Sequence, residues 1–161
     1  MVWFVFVFIS QRQKKKKKKA LSLTSESSSS IDPGSGKKWA TCTDMAAEDV
    51  EEAVQSAHAA FRKYRTVNPR TRAELLSKWD ALVRENKEDL ATILVYETGK
   101  PFAEAQGEIE YAASFTRWFS GEAERIQGTT FTAAIPGRRV FTIKQPVGVA
   151  AALVPWNFPI A

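Results

Sequence analysis

The sequence contains one cysteine and one histidine among its 161 residues. A single cysteine excludes an internal disulfide framework and fits a reducing compartment. Zinc sites usually take three or four side chains of these types, so one cysteine and one histidine offer no metal-ligand cluster of useful spacing. We therefore expect neither disulfides nor a metal centre of that kind.

Neither of these two residues is a strong catalytic candidate. His58 lies beside the apolar stripe of its predicted helix and has no nucleophile close in sequence, which favours a structural or surface role. Cys42 is flanked by Thr41, Thr43 and Asp44, so no neighbouring cation or base in sequence would promote its thiolate. We expect Cys42 to have no catalytic role.

Long apolar runs are also missing from the first half of the chain. The segment 1–9, MVWFVFVFI, is far shorter than the ~20 residues that cross a bilayer. Its positive charges follow the apolar block, which is the reverse of the order in a secretory signal. We therefore expect no membrane span.

The net charge of +5 is concentrated near the N-terminus. Arg12 and Lys14 to Lys19 supply seven basic residues before the first acid, Glu26, and the rest of the chain is slightly acidic. The lysine run could be a nuclear address or a surface-binding patch. A solvated extension outside the domain is favoured, and no specific nucleic-acid partner is expected. The Ser-rich stretch from Ser22 to Gly36 predicts disorder, so the expected organisation is an extension at 1–36 and a folded part at 37–161.

Apolar residues at three- and four-residue intervals predict four consecutive helices. The second helix should begin at Asn68-Pro69, and the third should end at Gly99 before Pro101. The fourth is the longest and carries a second apolar face at Tyr111, Phe115 and Trp118, which would need a cover of its own. Its expected stop is Gly128. The expected helices are about 46–65, 69–83, 87–97 and 102–126.

After the helices the apolar period changes from 3.6 to 2. Phe131 to Ile135 and Arg138 to Gln145 predict two strands around a Pro-Gly turn. Val147 to Val154 is entirely apolar, which predicts a strand inside a parallel sheet that is covered on both faces. The sequence is therefore expected to adopt an α/β fold.

Asn157 is the one polar side chain presented directly after that apolar run. Ligands of open α/β sheets bind at this position, and an Asn amide there can donate a hydrogen bond to an oxyanion. Alternatively, Asn157 only forms an Asx-type turn between Pro155 and Pro159, which the spacing alone favours. Trp156 could stack on a flat ring or fill the core. The sequence contains no glycine-rich phosphate loop, convincing carboxylate pair or Ser-His-Asp set.

Several motifs in one order resemble the aldehyde dehydrogenase superfamily, and succinate-semialdehyde dehydrogenases in particular. The resemblance covers about residues 39–161. It is carried by Glu97-Thr98-Gly99-Lys100-Pro101, Gly107-Glu108-Ile109, Trp118-Phe119-Ser120, Lys144-Gln145-Pro146 and Pro155-Trp156-Asn157-Phe158-Pro159.

The resemblance implies an NAD- or NADP-dependent oxidation of an aldehyde to an acid by way of a covalent thiol adduct. It makes Asn157 the oxyanion donor and assigns Val154, Pro155, Trp156 and Asn157 to the nicotinamide side of the cofactor cleft. It makes Val147 to Val154 the first strand of a Rossmann-like cofactor domain and the 131–144 ribbon an oligomerisation hairpin. The family's nucleophilic cysteine and general-base glutamate have no counterpart in this sequence.

Two interpretations of the chain follow from that resemblance. The favoured one is an incomplete portion of a succinate-semialdehyde-type dehydrogenase that is inactive alone, because the sequence ends inside a motif. The other is a non-catalytic short form that binds full-length subunits through its ribbon, or forms homo-oligomers. A cytoplasmic location is expected, with mitochondria as the alternative.

Overall fold

Four helices dominate the computed structural model, which describes residues 27–161. The sequence predictions for 1–26, including the apolar start and the lysine run, lie outside the described residues. The prediction of four consecutive helices is confirmed. Their bounds are α1 Ala47–Tyr64, α2 Pro69–Glu85, α3 Lys87–Thr98 and α4 Phe102–Ala123.

The helix ends are set by local chemistry. The Asn68 side chain accepts a hydrogen bond from the Thr71 amide at 2.9 Å, and Pro69 occupies the first helical position of α2. Gly99 ends α3 in the left-handed conformation, with a φ of 71°. α4 stops at Ala123, before the predicted stop at Gly128.

The hydrophobic core lies between α3 and α4. Its buried residues are Ala91 and Leu94 from α3 and Ala105 and Ile109 from α4. Val83 of α2 packs against this cluster, together with Leu90, Val95 and Ile160. α2 also contacts α4 through the Ser120 hydroxyl, which donates to the Ala73 carbonyl at 2.9 Å. The second apolar face of α4 is exposed at Tyr111, Phe115 and Trp118.

A β-hairpin precedes the helices, where the sequence predicted disorder. Strand β1 (Ser27–Ile31) pairs antiparallel with β2 (Lys38–Thr43), so the prediction of disorder is wrong for residues 27–36. The Asp32 carboxylate accepts hydrogen bonds from the amides of Gly34 and Ser35 at 3.0 and 3.1 Å, which stabilises the turn. The hydrogen bond from the Ser35 hydroxyl lowers the pKa of Asp32 most, and the bonds from the Gly34 and Ser35 amides lower it further.

The hairpin is attached to α3 through an aromatic contact. Trp39 stacks on Tyr96 with ring centroids 5.3 Å apart, and its indole N–H donates to the Ser30 hydroxyl at 3.0 Å. Ser30 in turn donates to Glu97 at 3.1 Å. The Ser-rich segment therefore forms a hairpin here, because the turn and the contacts of Trp39 stabilise it although serine side chains contribute no apolar packing.

A second antiparallel ribbon follows α4, as predicted, but its strands are shorter. β3 (Thr130–Thr132) pairs with β4 (Arg139–Phe141), and Pro136-Gly137 forms the turn between them. The Arg138 amide donates to the Ile135 carbonyl at 3.2 Å, and Gly137 has a φ of 79°. These features are those of a type II turn.

The predicted strand at 147–154 is not formed. Residues 147–154 have no regular secondary structure, and Val147, Leu153 and Val154 are exposed. An apolar strand of this kind is stable only when neighbouring strands satisfy its backbone groups and cover its faces. The two ribbons, β1–β2 and β3–β4, are the sheets found in residues 27–161, and neither pairs with this segment.

Gly128 is required by a close backbone approach at the base of the second ribbon. A Cβ atom added there would lie 1.7 Å from the Thr142 carbonyl oxygen. We expect Gly128→Ala to open the ribbon base and break the 2.8 Å hydrogen bond from the Thr142 amide to the Thr129 carbonyl, since overpacking costs about 1–3 kcal/mol. Faster hydrogen exchange at Thr142 would show this. Gly107→Ala is the control, because an added Cβ there meets nothing within 4 Å; equal exchange in both variants would contradict the prediction.

Candidate functional site

The side chain of Asn157 is exposed, whereas its backbone is anchored. The carbonyl of Asn157 accepts a hydrogen bond from the Lys100 ammonium at 3.1 Å. Within residues 27–161, no hydrogen bond engages its amide group, so both amide protons are available to a ligand. The main chain of the predicted oxyanion donor is therefore held in place, while its side-chain amide makes no hydrogen bond within residues 27–161.

The anchor is a buried ion pair that the sequence reasoning did not single out. The Lys100 ammonium pairs with Oε2 of Glu108, whose side chain is 1% exposed, while that of Lys100 is 13% exposed. The other carboxylate oxygen, Oε1, accepts a hydrogen bond from the Ile160 amide at 3.1 Å. The ammonium also lies 4.9 Å from the centroid of the Phe158 ring. The pair therefore contacts residues 153–161, which we call the Asn157 segment, on both sides of Phe158.

Local structure explains why these two charges meet. Lys100 lies in the turn between α3 and α4, where Gly99 takes a positive φ and Pro101 precedes the first residue of α4. Glu108 is on the same face of α4 as Ala105 and Ile109, which are three and one residues away and fully buried. A carboxylate on a buried face requires partners, and Lys100 and the Ile160 amide supply them.

The residues predicted to line the cofactor side of the cleft are next to Asn157. Val154 and Trp156 are exposed, as is Pro155, and none is held in the core. The predicted alternative that Trp156 fills the core is wrong, since its side chain is 79% exposed. The segment thus presents an apolar aliphatic side chain, an indole and an amide on its accessible surface.

A second charged cluster lies elsewhere on the helices. Glu110 of α4 pairs with Arg84 of α2 and with Lys87 of α3, the latter at 2.9 Å. The hydrogen bond from Lys87, followed by the attraction of Arg84, lowers the pKa of Glu110. This cluster joins three helices, and within residues 27–161 its ion pairs do not involve the residues around Asn157.

Cys42 and His58 lie apart from the Asn157 segment. Cys42 is exposed on β2, opposite Ser28 of β1, and His58 is exposed on α1. In the described part of the chain, no three Cys, His, Asp or Glu side chains are arranged to hold a metal ion. No helix between residues 27 and 161 has the length and apolar character needed to cross a membrane.

Residues 21–161 match the model of the aldehyde dehydrogenase family. The match begins N-terminal to residue 37, the predicted start of the folded part. The chain is 45% identical over 129 residues to succinate-semialdehyde dehydrogenase [NADP(+)] 1 of Schizosaccharomyces pombe, covering 80% of this chain and 26% of that enzyme. It is 47% identical over 130 residues to the mitochondrial succinate-semialdehyde dehydrogenase of Mus musculus, covering 81% of this chain and 25% of that one.

The fold matches solved structures of the same kind. The crystal structure of succinate-semialdehyde dehydrogenase from Burkholderia pseudomallei superposes with a TM-score of 0.80 at 42% identity. The superposition covers 83% of this chain and 28% of that one, so the chain spans about a quarter of the length of the relatives it matches. The four helices and the small sheets correspond to the N-terminal portion of an α/β fold. The chain belongs to the aldehyde dehydrogenase family.

Proposed function

We propose that this chain forms the first part of an NAD(P)-dependent dehydrogenase of the succinate-semialdehyde type, which oxidises an aldehyde to a carboxylic acid. The observation that carries the proposal is Asn157, whose amide is exposed and unengaged while its main chain is held by Lys100. The 45% and 47% identities to two succinate-semialdehyde dehydrogenases support the substrate class.

Asn157 would act as an oxyanion donor in that reaction. When a thiolate attacks an aldehyde carbonyl, negative charge develops on the carbonyl oxygen, and a preorganised amide N–H stabilises it. The exposed Val154, Pro155 and Trp156 fit a flat, largely apolar ring such as nicotinamide. The bound NAD(P)+ would accept the hydride, and these side chains would exclude water beside it.

Residues 1–161 alone would not catalyse the oxidation. Cys42, the one thiol in the sequence, lies on β2 and precedes every motif of the site, so it does not serve as the nucleophile. We expect no reduction of NAD+ or NADP+ by the purified chain with succinate semialdehyde, measured at 340 nm.

A chimera tests the positive half of the proposal. The matching 129-residue stretch of the S. pombe enzyme is replaced by that of this chain, with the unaltered S. pombe enzyme as the reference. We expect the chimera to oxidise succinate semialdehyde. A folded chimera without activity would contradict the proposed function, and activity of the 161-residue chain by itself would contradict its dependence on further residues.

A second candidate function is that of a non-catalytic short form that docks on full-length subunits or on itself. The observation in its favour is the exposed apolar surface of the β3–β4 region at Phe131, Phe141 and Ile143. Co-expression with a full-length relative, followed by size-exclusion chromatography, should give a co-eluting complex that Phe141→Glu abolishes. Separate elution of the two chains would rule this function out.

We also propose a cytoplasmic location, because the single cysteine fits a reducing compartment. The mouse relative is named as mitochondrial, which is the alternative. Imaging of the C-terminally tagged chain against a mitochondrial marker distinguishes the two, and overlap with the marker would reject the cytoplasmic location.

A further inference from the structure

We propose that Lys100 and Glu108 are positioning residues that set the orientation of Asn157 for catalysis. This inference rests on the proposed role of Asn157 as the oxyanion donor. The pair would act on the backbone of the donor, because the Lys100 ammonium donates a hydrogen bond to the Asn157 carbonyl. We call the Lys100–Glu108 pair with its two hydrogen bonds to the segment the clamp.

The clamp holds the backbone on both sides of two residues, Phe158 and Pro159. Lys100 donates to the Asn157 carbonyl at 3.1 Å, and Glu108 accepts from the Ile160 amide at 3.1 Å. Each bond involves a different member of the ion pair. The cation, Lys100, bonds a backbone carbonyl, and the anion, Glu108, bonds a backbone amide. Charge-assisted hydrogen bonds of this kind are stronger than neutral ones.

The clamp is the main fixed point near Asn157. The preceding residues 147–154 have no regular structure, and Val154 and Trp156 are exposed, so packing does not orient the donor from that side. On the other side, Ile160 packs against the core cluster of Ala91, Leu94, Ala105 and Ile109. The backbone of Asn157 is thus held between Lys100 and the buried end of the segment.

Net stability is a poor explanation for keeping such a pair. Apolar residues of similar volume in place of a buried ion pair are often neutral or stabilising. A buried pair with hydrogen bonds in two fixed directions instead specifies geometry. An oxyanion donor depends on geometry, because its N–H must point to the oxygen position of the transition state and not to that of the ground state.

Hydrogen exchange of the full chain tests the clamp itself. We expect Lys100→Met and Glu108→Gln to accelerate exchange of the Ile160 amide by ~10-fold, followed in a peptide covering residues 153–161, because that amide donates to Glu108 and Lys100 holds the Glu108 carboxylate. Glu110→Gln is the matched control, because Glu110 lies two residues further along α4 and pairs with Arg84 and Lys87 without contacting the segment. Unchanged exchange in both clamp variants would overturn the inference.

A charge swap separates positioning from simple stabilisation. Lys100→Glu combined with Glu108→Lys preserves an ion pair but turns a carboxylate toward the Asn157 carbonyl and an ammonium toward the Ile160 amide. If the pair served stability alone, the swap would restore the behaviour of the unaltered chain. We expect the swap to restore the midpoint of thermal unfolding, while hydrogen exchange in the 153–161 peptide stays fast. Slow exchange in the swapped variant, equal to that of the unaltered chain, would overturn the inference.

The chimera links the clamp to catalysis. We expect Lys100→Met to lower kcat by ~10-fold or more with little change in the KM for the aldehyde, because a displaced donor weakens binding of the transition state and not of the substrate. The catalytic part of the inference would be overturned if Lys100→Met gave fast hydrogen exchange and an unchanged kcat while Asn157→Ala lowered kcat. If Asn157→Ala has no effect, the proposed role of Asn157 fails, while the exchange experiment still decides whether the clamp exists.

Discussion

Replacing Asn157 with alanine in the chimera is expected to lower kcat by about 10²–10³-fold, with a much smaller effect on the KM for the aldehyde. The amide of Asn157 makes no hydrogen bond to the residues at 27–161, so its removal leaves no polar group of these residues without its partner. The loss would therefore fall on the transition state, where the oxyanion carries its charge, and not on folding. Steady-state kinetics with succinate semialdehyde and NADP+ measure both constants.

Two control variants make the result specific to the amide donor. Asn157→Asp keeps the size of the side chain but places a negative charge beside the developing oxyanion, so its kcat should fall at least as far as that of the alanine variant. Gln127→Ala removes an exposed amide beyond the end of α4 and should leave kcat unchanged. An equal loss in the Gln127 variant, or a KM effect alone in the Asn157 variant, would contradict the assignment.

Helix positions were predictable because their signals are local. Asn68 and Pro69 start α2 with a side-chain cap and a proline at the first position, and both features can be found within four residues of sequence. Gly99 and Pro101 mark the junction of α3 and α4 in the same way. The end of α4 was misplaced because Gly128 was interpreted as a stop signal, whereas it permits the close approach of Thr142.

The first hairpin was missed because composition outweighed two specific signals. Asp32, Pro33 and Gly34 form a turn sequence that predicts a hairpin when residues on either side can pair. The anchoring contact of Trp39 with Tyr96 joins positions far apart in sequence, and no local pattern reveals it. The serines of β1 pair through their backbone, which requires no apolar side chains.

The strand predicted at 147–154 is absent for the opposite reason. Such a strand depends on neighbouring strands and covering helices that the described residues do not supply. Its composition indicates a buried strand, yet burial requires sheet neighbours and covering helices. The chain spans about a quarter of the length of its relatives, and the segment stays exposed at Leu153 and Val154. The residue pattern thus predicts a strand for which residues 27–161 supply no sheet partner.

The sequence itself contains a signal for the Lys100–Glu108 ion pair. Both residues stand in the motifs that carry the family resemblance, and Glu108 interrupts the apolar stripe of α4 between Ala105 and Ile109. A charged residue on a buried helical face requires a partner of opposite charge, and Lys100 is close in sequence. Its contacts with Asn157 and Ile160 are non-local, so only the structure could reveal them.

Ile109→Ala should lower the free energy of unfolding by about 2–5 kcal/mol, the range for removing large aliphatic side chains from a core. Ile109 is 0% exposed and is the largest fully buried side chain in the described part of the chain. Its neighbours Ala91 and Ala105 are small and cannot fill the cavity. Because most domains are stable by only 5–15 kcal/mol, the variant should lose a large share of its folded population. Urea titration followed by circular dichroism at 222 nm measures the change.

Ile93→Ala on α3 is the matched control, since it makes the same chemical change on a helix at a side chain that is 44% exposed. Alanine favours helix formation slightly more than isoleucine does, and that gain is common to both variants, so the difference between them isolates burial. We expect the Ile93 variant to lose less than half as much as the Ile109 variant. Equal losses in the free energy of unfolding would contradict the enclosure of Ile109 between α3 and α4. The packing of Ile160 on that core, which holds the end of the Asn157 segment, would then be in error as well.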